Sequence, residues 1–215
     1  MLDSMYLNDE ILGYGALKND LLFHKIPKDK YQYYINKAIE IGKQKAISLK
    51  QYSIKELCNK NHIDITYASQ TGKFYGVTFR ANIELSESTR KITLYKDSMQ
   101  DMLNAIKASG IYEYNEEEIT NIHLAHELYH FYEYIDKQPT NEILDTIVRY
   151  KLGPIKLHSS ITSVCEIAAH AFTKELLDLD FLPNIFDYML LVYQEKITIK
   201  DLEELFKQWN HEIGE

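Results

Sequence analysis

Cysteine is scarce in this chain. Only Cys58 and Cys165 occur among its 215 residues, far apart and each inside an apolar helical pattern. That excludes a disulfide framework and leads us to expect two buried free thiols, as in a cytoplasmic protein. Long hydrophobic runs are also missing. No stretch approaches the ~18 consecutive apolar residues that a membrane-spanning helix needs, so no membrane association is expected. Positive charge is in deficit: 24 Lys and Arg against 32 Asp and Glu leave a net charge of −8. With no basic helix-turn-helix either, a nucleic-acid-binding face is not expected. The opening Met1-Leu2-Asp3-Ser4-Met5 has neither a basic n-region nor an apolar h-region, so no signal peptide is expected. No internal repeat or low-complexity run is visible. No serine stands in a nucleophile-elbow pattern, so hydrolysis led by a side-chain nucleophile has no obvious carrier.

What remains is an ordinary globular mixture, 45% hydrophobic and 26% charged, long enough for one sizeable core. Tyrosine is the outlier, with 17 copies. Tyrosines supply large half-buried contact area with a polar tip, which suits a peptide groove and a thin core equally.

The chain is organised around His126-Glu127-Leu128-Tyr129-His130, an H-E-x-x-H pattern. Leu124, Leu128, Phe131 and Ile135 form one apolar stripe, which predicts a helix. Glu116, Glu117 and Glu118 fall in its first turn, where the helix dipole favours negative charge. Side chains four apart share a helix face, so His126 and His130 are placed to hold one Zn2+. Glu127 lies one step round and is the candidate general base towards a water.

A catalytic zinc site keeps one coordination position open and therefore wants a third protein ligand. The stretch 163–177 reads as a second amphipathic helix, on which Glu166 and His170 share a face. Glu166 is the expected third ligand, and His170 is placed to orient a ligand from behind. Two alternatives stand beside this. Glu133 on the first helix competes as ligand, although positions i, i+4 and i+7 of one straight helix rarely converge on one ion. Glu166 could instead be a surface carboxylate paired with a lysine such as Lys174. For stabilising a developing oxyanion the candidates are His170, Tyr132, His158 and Arg149.

The pattern elsewhere predicts an α+β fold, mostly helical, with a small three-stranded sheet. Residues 1–28 show no firm period, since Gly13, Gly15 and Pro27 interrupt them, and are expected to form an arm or extension before a single domain at 29–215. A helix is expected over about 29–49, then Ser53 and Glu56 as a capping box on a short helix. Period-2 alternation predicts strands near 63–68, 74–85 and 91–95, with a turn at 70–72 and a bulge at Gly76. Helices are expected over 97–108, ending at Gly110, and from about 200 to 211. Between the two ligand helices, Thr140 or Asn141 is expected to cap a helix carrying Ile143, Leu144, Ile147 and Val148, ended by Gly153-Pro154. That segment either covers a cleft or simply packs.

From Ser53-Ile54-Lys55-Glu56-Leu57, through Ile122-His123-Leu124-Ala125-His126-Glu127-Leu128-Tyr129-His130, to Ala168-Ala169-His170-Ala171-Phe172, the chain resembles the ImmA/IrrE-type metallopeptidases. The likeness covers roughly residues 30–180. It departs at Tyr129, where the family usually has glycine, and in the spacing of Glu166 from Phe172. The resemblance implies a zincin-like domain with helices around a small sheet, and a cytoplasmic zinc peptidase acting on a protein or peptide, in some members a regulatory protein. The alternative is a zincin-fold protein that binds or regulates without catalysis. An intact Glu127 favours the enzyme, because a pure binding site has no use for a base beside a bound water.

Overall fold

The computed structural model describes residues 7–69, 72–74, 77–110 and 113–214. Helix α1 (Asp9–Lys18) is followed by α2 (Tyr31–Ile47) and α3 (Ile54–Lys60). A strand region comes next: β1 (Asp64–Ala68), β2 (Gly72–Phe74), β3 (Val77–Phe79), β4 (Ala81–Leu85) and β5 (Arg90–Tyr95). Then come α4 (Lys96–Ser109), α5 (Glu116–Asp136), α6 (Thr140–Ile143), β6 (Ile147–Leu152), β7 (Ile155–Ser159), α7 (Ser163–Leu177), α8 (Ile185–Tyr193) and α9 (Ile199–Gly214).

The fold is α+β and mostly helical, with a small mixed sheet ordered β1-β5-β4. β1 runs parallel to β5, with Ile65 opposite Ile92, and β4 runs antiparallel to it, with Ile83 opposite Ile92. Ile92 and Leu94 are fully buried, so the alternation in β5 turns one face of the sheet onto the helices. β4 lies at the sheet edge nearest α5, and α5 packs on α7, which packs in turn on α2.

Local signals set several boundaries. Ser53 and Glu56 form the capping box as expected, and Asn115 with Glu118 forms a second one at the head of α5. Three expectations are corrected. Residues 9–18 are no arm: they form α1, whose Ile11, Leu12, Tyr14 and Leu17 are buried in the main core. The glycines there do not interrupt the helix but let other helices approach. A Cβ on Gly15 would stand 2.6 Å from the Trp209 ring of α9. Second, Phe74 to Phe79 is not one strand. Gly72–Phe74 and Val77–Phe79 pair with each other as an antiparallel ladder, while the expected bulge at Gly76 and the turn residues 70 and 71 lie outside the described residues. Third, the helix expected over 140–152 stops after one turn. Residues 147–159 form the β6–β7 hairpin instead, because Gly153, at φ +58, and Pro154 make a two-residue turn between paired Leu152 and Ile155. Val148, Tyr150 and Leu152 are β-formers in a window where helical spacing also fits, and the turn decided between them.

α1 is tied to α9 by one carboxylate. Glu212 accepts hydrogen bonds from the Tyr14 hydroxyl at 2.6 Å, the Lys18 ammonium at 2.9 Å and the Gln208 amide at 2.7 Å. Burial works against its charge, but these donors outweigh burial and hold the carboxyl down at about 2, against an ordinary 4.5. Its folded pKa is depressed, so its contribution is present above pH ~4.5 and lost as pH falls towards ~2. With part of the side chain in solvent, we expect Glu212→Gln to lose roughly 1–2 kcal/mol at neutral pH. The deficit should shrink in melts run from pH 5 down to 2.5. A deficit that stays constant over that range would refute the assignment.

Candidate metal centre

The helical spacing of α5 puts His126 and His130 one turn apart, with Nε2 atoms 3.3 Å from each other. α7 brings Glu166 to the same point. Its Oε2 lies 3.2 Å from His126 Nε2 and its Oε1 3.5 Å from His130 Nε2. Ligands placed tetrahedrally about 2.0–2.1 Å from zinc stand roughly 3.3–3.4 Å apart, so these separations are those of one face of a zinc tetrahedron. Among the described residues this is the group whose donor atoms all fall within 4.8 Å of one another. The donor set, two imidazoles and a carboxylate, suits zinc and leaves a fourth position open to solvent. Two imidazole nitrogens facing each other across 3.3 Å are both satisfied at once by a shared cation; a single hydrogen bond would use the lone pair of only one. The residues therefore fit the ion. Lys174, the alternative partner for Glu166, is engaged elsewhere, at 2.6 Å from Asp9.

Electrostatics around the group follow from enclosure and mutual attraction. Burial pushes the Glu166 carboxyl up, but His126 and His130 prevail and hold it well below the usual carboxylate range. Glu127 is pushed up by burial, against the pull of the two histidines and a hydrogen bond from the Ile83 main chain on β4. It is thus presented beside the histidines without touching the donor triangle.

Glu133 does not join the donor triangle. Its Oε1 accepts from the Thr140 backbone N–H and hydroxyl, both at 2.7 Å, and its Oε2 lies 3.1 Å from His130 Nδ1. It therefore grips the back of the His130 ring, favours the Nδ1–H tautomer and leaves the Nε2 lone pair free. Tyr129 fixes Thr140 in turn, through a 2.6 Å hydroxyl contact. Tyr129 thus holds α6 against α5 through its hydroxyl.

His170 is where it was expected, four residues after Glu166, with its ring 4.7 Å from that of His126. Burial pushes its pKa down to about 3, so the ring is neutral at physiological pH. The other oxyanion candidates do not gather here. Tyr132 points away, its hydroxyl accepting from Asn61 at 3.2 Å and Lys45 lying over its ring. His158 and Arg149 lie on the exposed β6–β7 hairpin, His158 beside Thr146 and Arg149 over Tyr150. Cys165 is half-buried rather than in the core and donates to Asn141; burial pushes its thiol up to about 12, so it is no nucleophile.

The donor triangle faces a cleft of about 450 Å³ walled by Asn82 and Ile83 of β4 and by Arg80, His123, Glu127 and Asp187. Glu166, His170 and Asp187 also line an adjoining recess of about 820 Å³ beside α1 and α9. Sequence reasoning gave no role to His123, Arg80 or Asp187. His123 carried a usable signal, since it sits at i−3 from His126 on the same helix face. Arg80 and Asp187 carried none. Far apart along the chain, they meet as a 2.6 Å ion pair only once it is folded.

Comparison with protein-family models, curated proteins and solved structures returned no match. Among the described residues, no helix is long and apolar enough to cross a membrane.

Proposed function

We propose that this chain is a zinc-dependent metallopeptidase of the ImmA/IrrE type, with His126, His130 and Glu166 as ligands and Glu127 as general base. The observation that carries the reading is the donor triangle, 3.2, 3.3 and 3.5 Å on its sides, with the Glu127 carboxylate beside it and contributing no atom to it. Held by these residues, zinc would supply a Lewis acid for the scissile carbonyl and would lower the pKa of a neighbouring water towards about 7. Glu127 would take a proton from the attacking water as the C–O bond forms and deliver it to the departing amine as the C–N bond breaks. Glu133 keeps His130 in the required tautomer. Neutral His170 stands beside the ligands as a hydrogen-bond donor towards the developing oxyanion. β4 presents its outer edge to the cleft, which suits an extended peptide strand. The substrate is a protein or peptide, a regulatory protein being the class that the resemblance implies, and the setting is the cytoplasm. A net charge of −8 speaks against direct nucleic-acid binding.

Metal analysis tests the ligand set. The purified chain is expected to hold one zinc, and His130→Ala to hold none. Glu133→Gln should keep the stoichiometry at saturation but bind roughly 10–100-fold more weakly, the usual effect of losing a carboxylate behind a ligating histidine. Full zinc in His130→Ala would overturn the assignment.

A further inference from the structure

The β6–β7 hairpin is divided by its register into two unlike faces. Tyr150 pairs with Leu157 and Leu152 with Ile155, and directly opposed residues share a face. One face is therefore Tyr150, Leu152, Ile155 and Leu157, continuing outward from buried Ile147. The other carries the Lys151–Lys156 pair and the Val148–His158 pair. The apolar face is open: its four residues are 61, 78, 60 and 58% exposed. At about 200 Å² per fully exposed residue this is on the order of 500 Å², at the upper end of the apolar patches that monomers leave bare. A two-stranded ribbon alone in water is marginal and gains most of its stability from cover on such a face.

We propose that this face is the contact between two copies of the chain, packed hairpin to hairpin about a two-fold axis. Self-pairing about a two-fold axis requires a patch complementary to itself, and an apolar surface without buried charge meets that condition. Two copies together bury on the order of 1,000 Å², the lower bound for a specific interface. The charges also agree. Residues 147–159 carry Arg149, Lys151 and Lys156 and no carboxylate, in a chain whose total is −8. The lysines point away from the contact, so like charges are not pressed together. Arg149, its guanidinium 5.6 Å from the Tyr150 ring, sits at the rim. A membrane surface fits less well: the lysines lie on the face opposite the one that would enter lipid, and the acidic body is repelled by anionic headgroups.

Sedimentation equilibrium of the full chain tests this. A monomer–dimer equilibrium in the micromolar range is expected, shifted at least tenfold towards monomer in the Leu152→Lys/Ile155→Lys double variant. Both positions are exposed, so the variant should keep its circular dichroism spectrum. Oxidative cross-linking gives a second reading, since Cys58 is buried and Cys165 half-buried. Ile155→Cys should form a linked dimer faster than Lys156→Cys on the opposite face. A chain that stays monomeric throughout, a dimer unaffected by the double variant, or equal cross-linking from both faces would overturn the proposal. So would a monomer that sediments with anionic phosphatidylserine vesicles.

Discussion

Glu127→Gln is expected to lower turnover by roughly 10²–10⁴-fold, the usual range for removing a general acid–base, while zinc content and fold stay as in the parent. The position of the side chain separates these effects. Glu127 stands beside the donor triangle and contributes no atom to it. Its environment, enclosed and hydrogen-bonded by Ile83, accepts a neutral amide of the same shape. Single-turnover cleavage of a protein substrate, with zinc measured in the same sample, reads both quantities. A Glu127→Gln variant as fast as the parent would sink the mechanism. A fully zinc-loaded parent that cleaves no peptide from a diverse library would favour the non-catalytic binding reading, for which Glu127→Gln changes nothing.

Gly42→Ala is expected to destabilise the fold by about 3 kcal/mol or more, a drop in melting temperature of roughly 6–12 °C for a chain of this size. Two effects oppose each other here. Alanine is the better helix former by about 1 kcal/mol. Against that, a Cβ at this point of α2 would run into the Ala168 carbonyl oxygen and lie 2.9 Å from the Phe172 nitrogen of α7. Both are backbone atoms, which cannot rotate away as a flexible side chain does. α7 must therefore shift, and α7 carries Glu166. Zinc affinity should fall together with stability, although residue 42 is not part of the site. A variant that melts at or above the parent temperature would show that α2 and α7 do not meet so closely.

The parts of the fold visible in the sequence were those governed by local interactions. The α5 helix, the Ser53–Glu56 capping box and the β5 alternation each depend on neighbours within a few residues, and each is present in the structure; of the α5 stripe Leu124, Leu128 and Phe131 are buried, while Ile135 at the helix end is exposed. The two histidines belong to the same class, because four residues along a helix fix their relative position before any tertiary contact forms. Where the pattern misled, competing terms were close. Residues 147–152 satisfy helical and strand spacing alike, and the Gly153-Pro154 turn settled the outcome. Residues 9–18 looked unstructured because their glycines weaken a helix in isolation, and packing against α2, α7 and α9 more than restores it.

By itself, then, the sequence determined which side chains one helix turn would hold together: His126, Glu127 and His130. It favoured Glu166 as their companion over Glu133, on helix geometry alone. Tertiary structure shows where the two carboxylates sit. Thr140, brought back by the turn after α5, takes one oxygen of Glu133 and leaves the other for His130 Nδ1, while the close α5–α7 packing delivers Glu166 to the two Nε2 atoms. The Arg80–Asp187 pair and the bare face of the hairpin were likewise decided only in three dimensions. The physical reason is the same in each case: helix periodicity relates neighbours along one chain segment, whereas a contact between distant segments depends on how their surfaces pack.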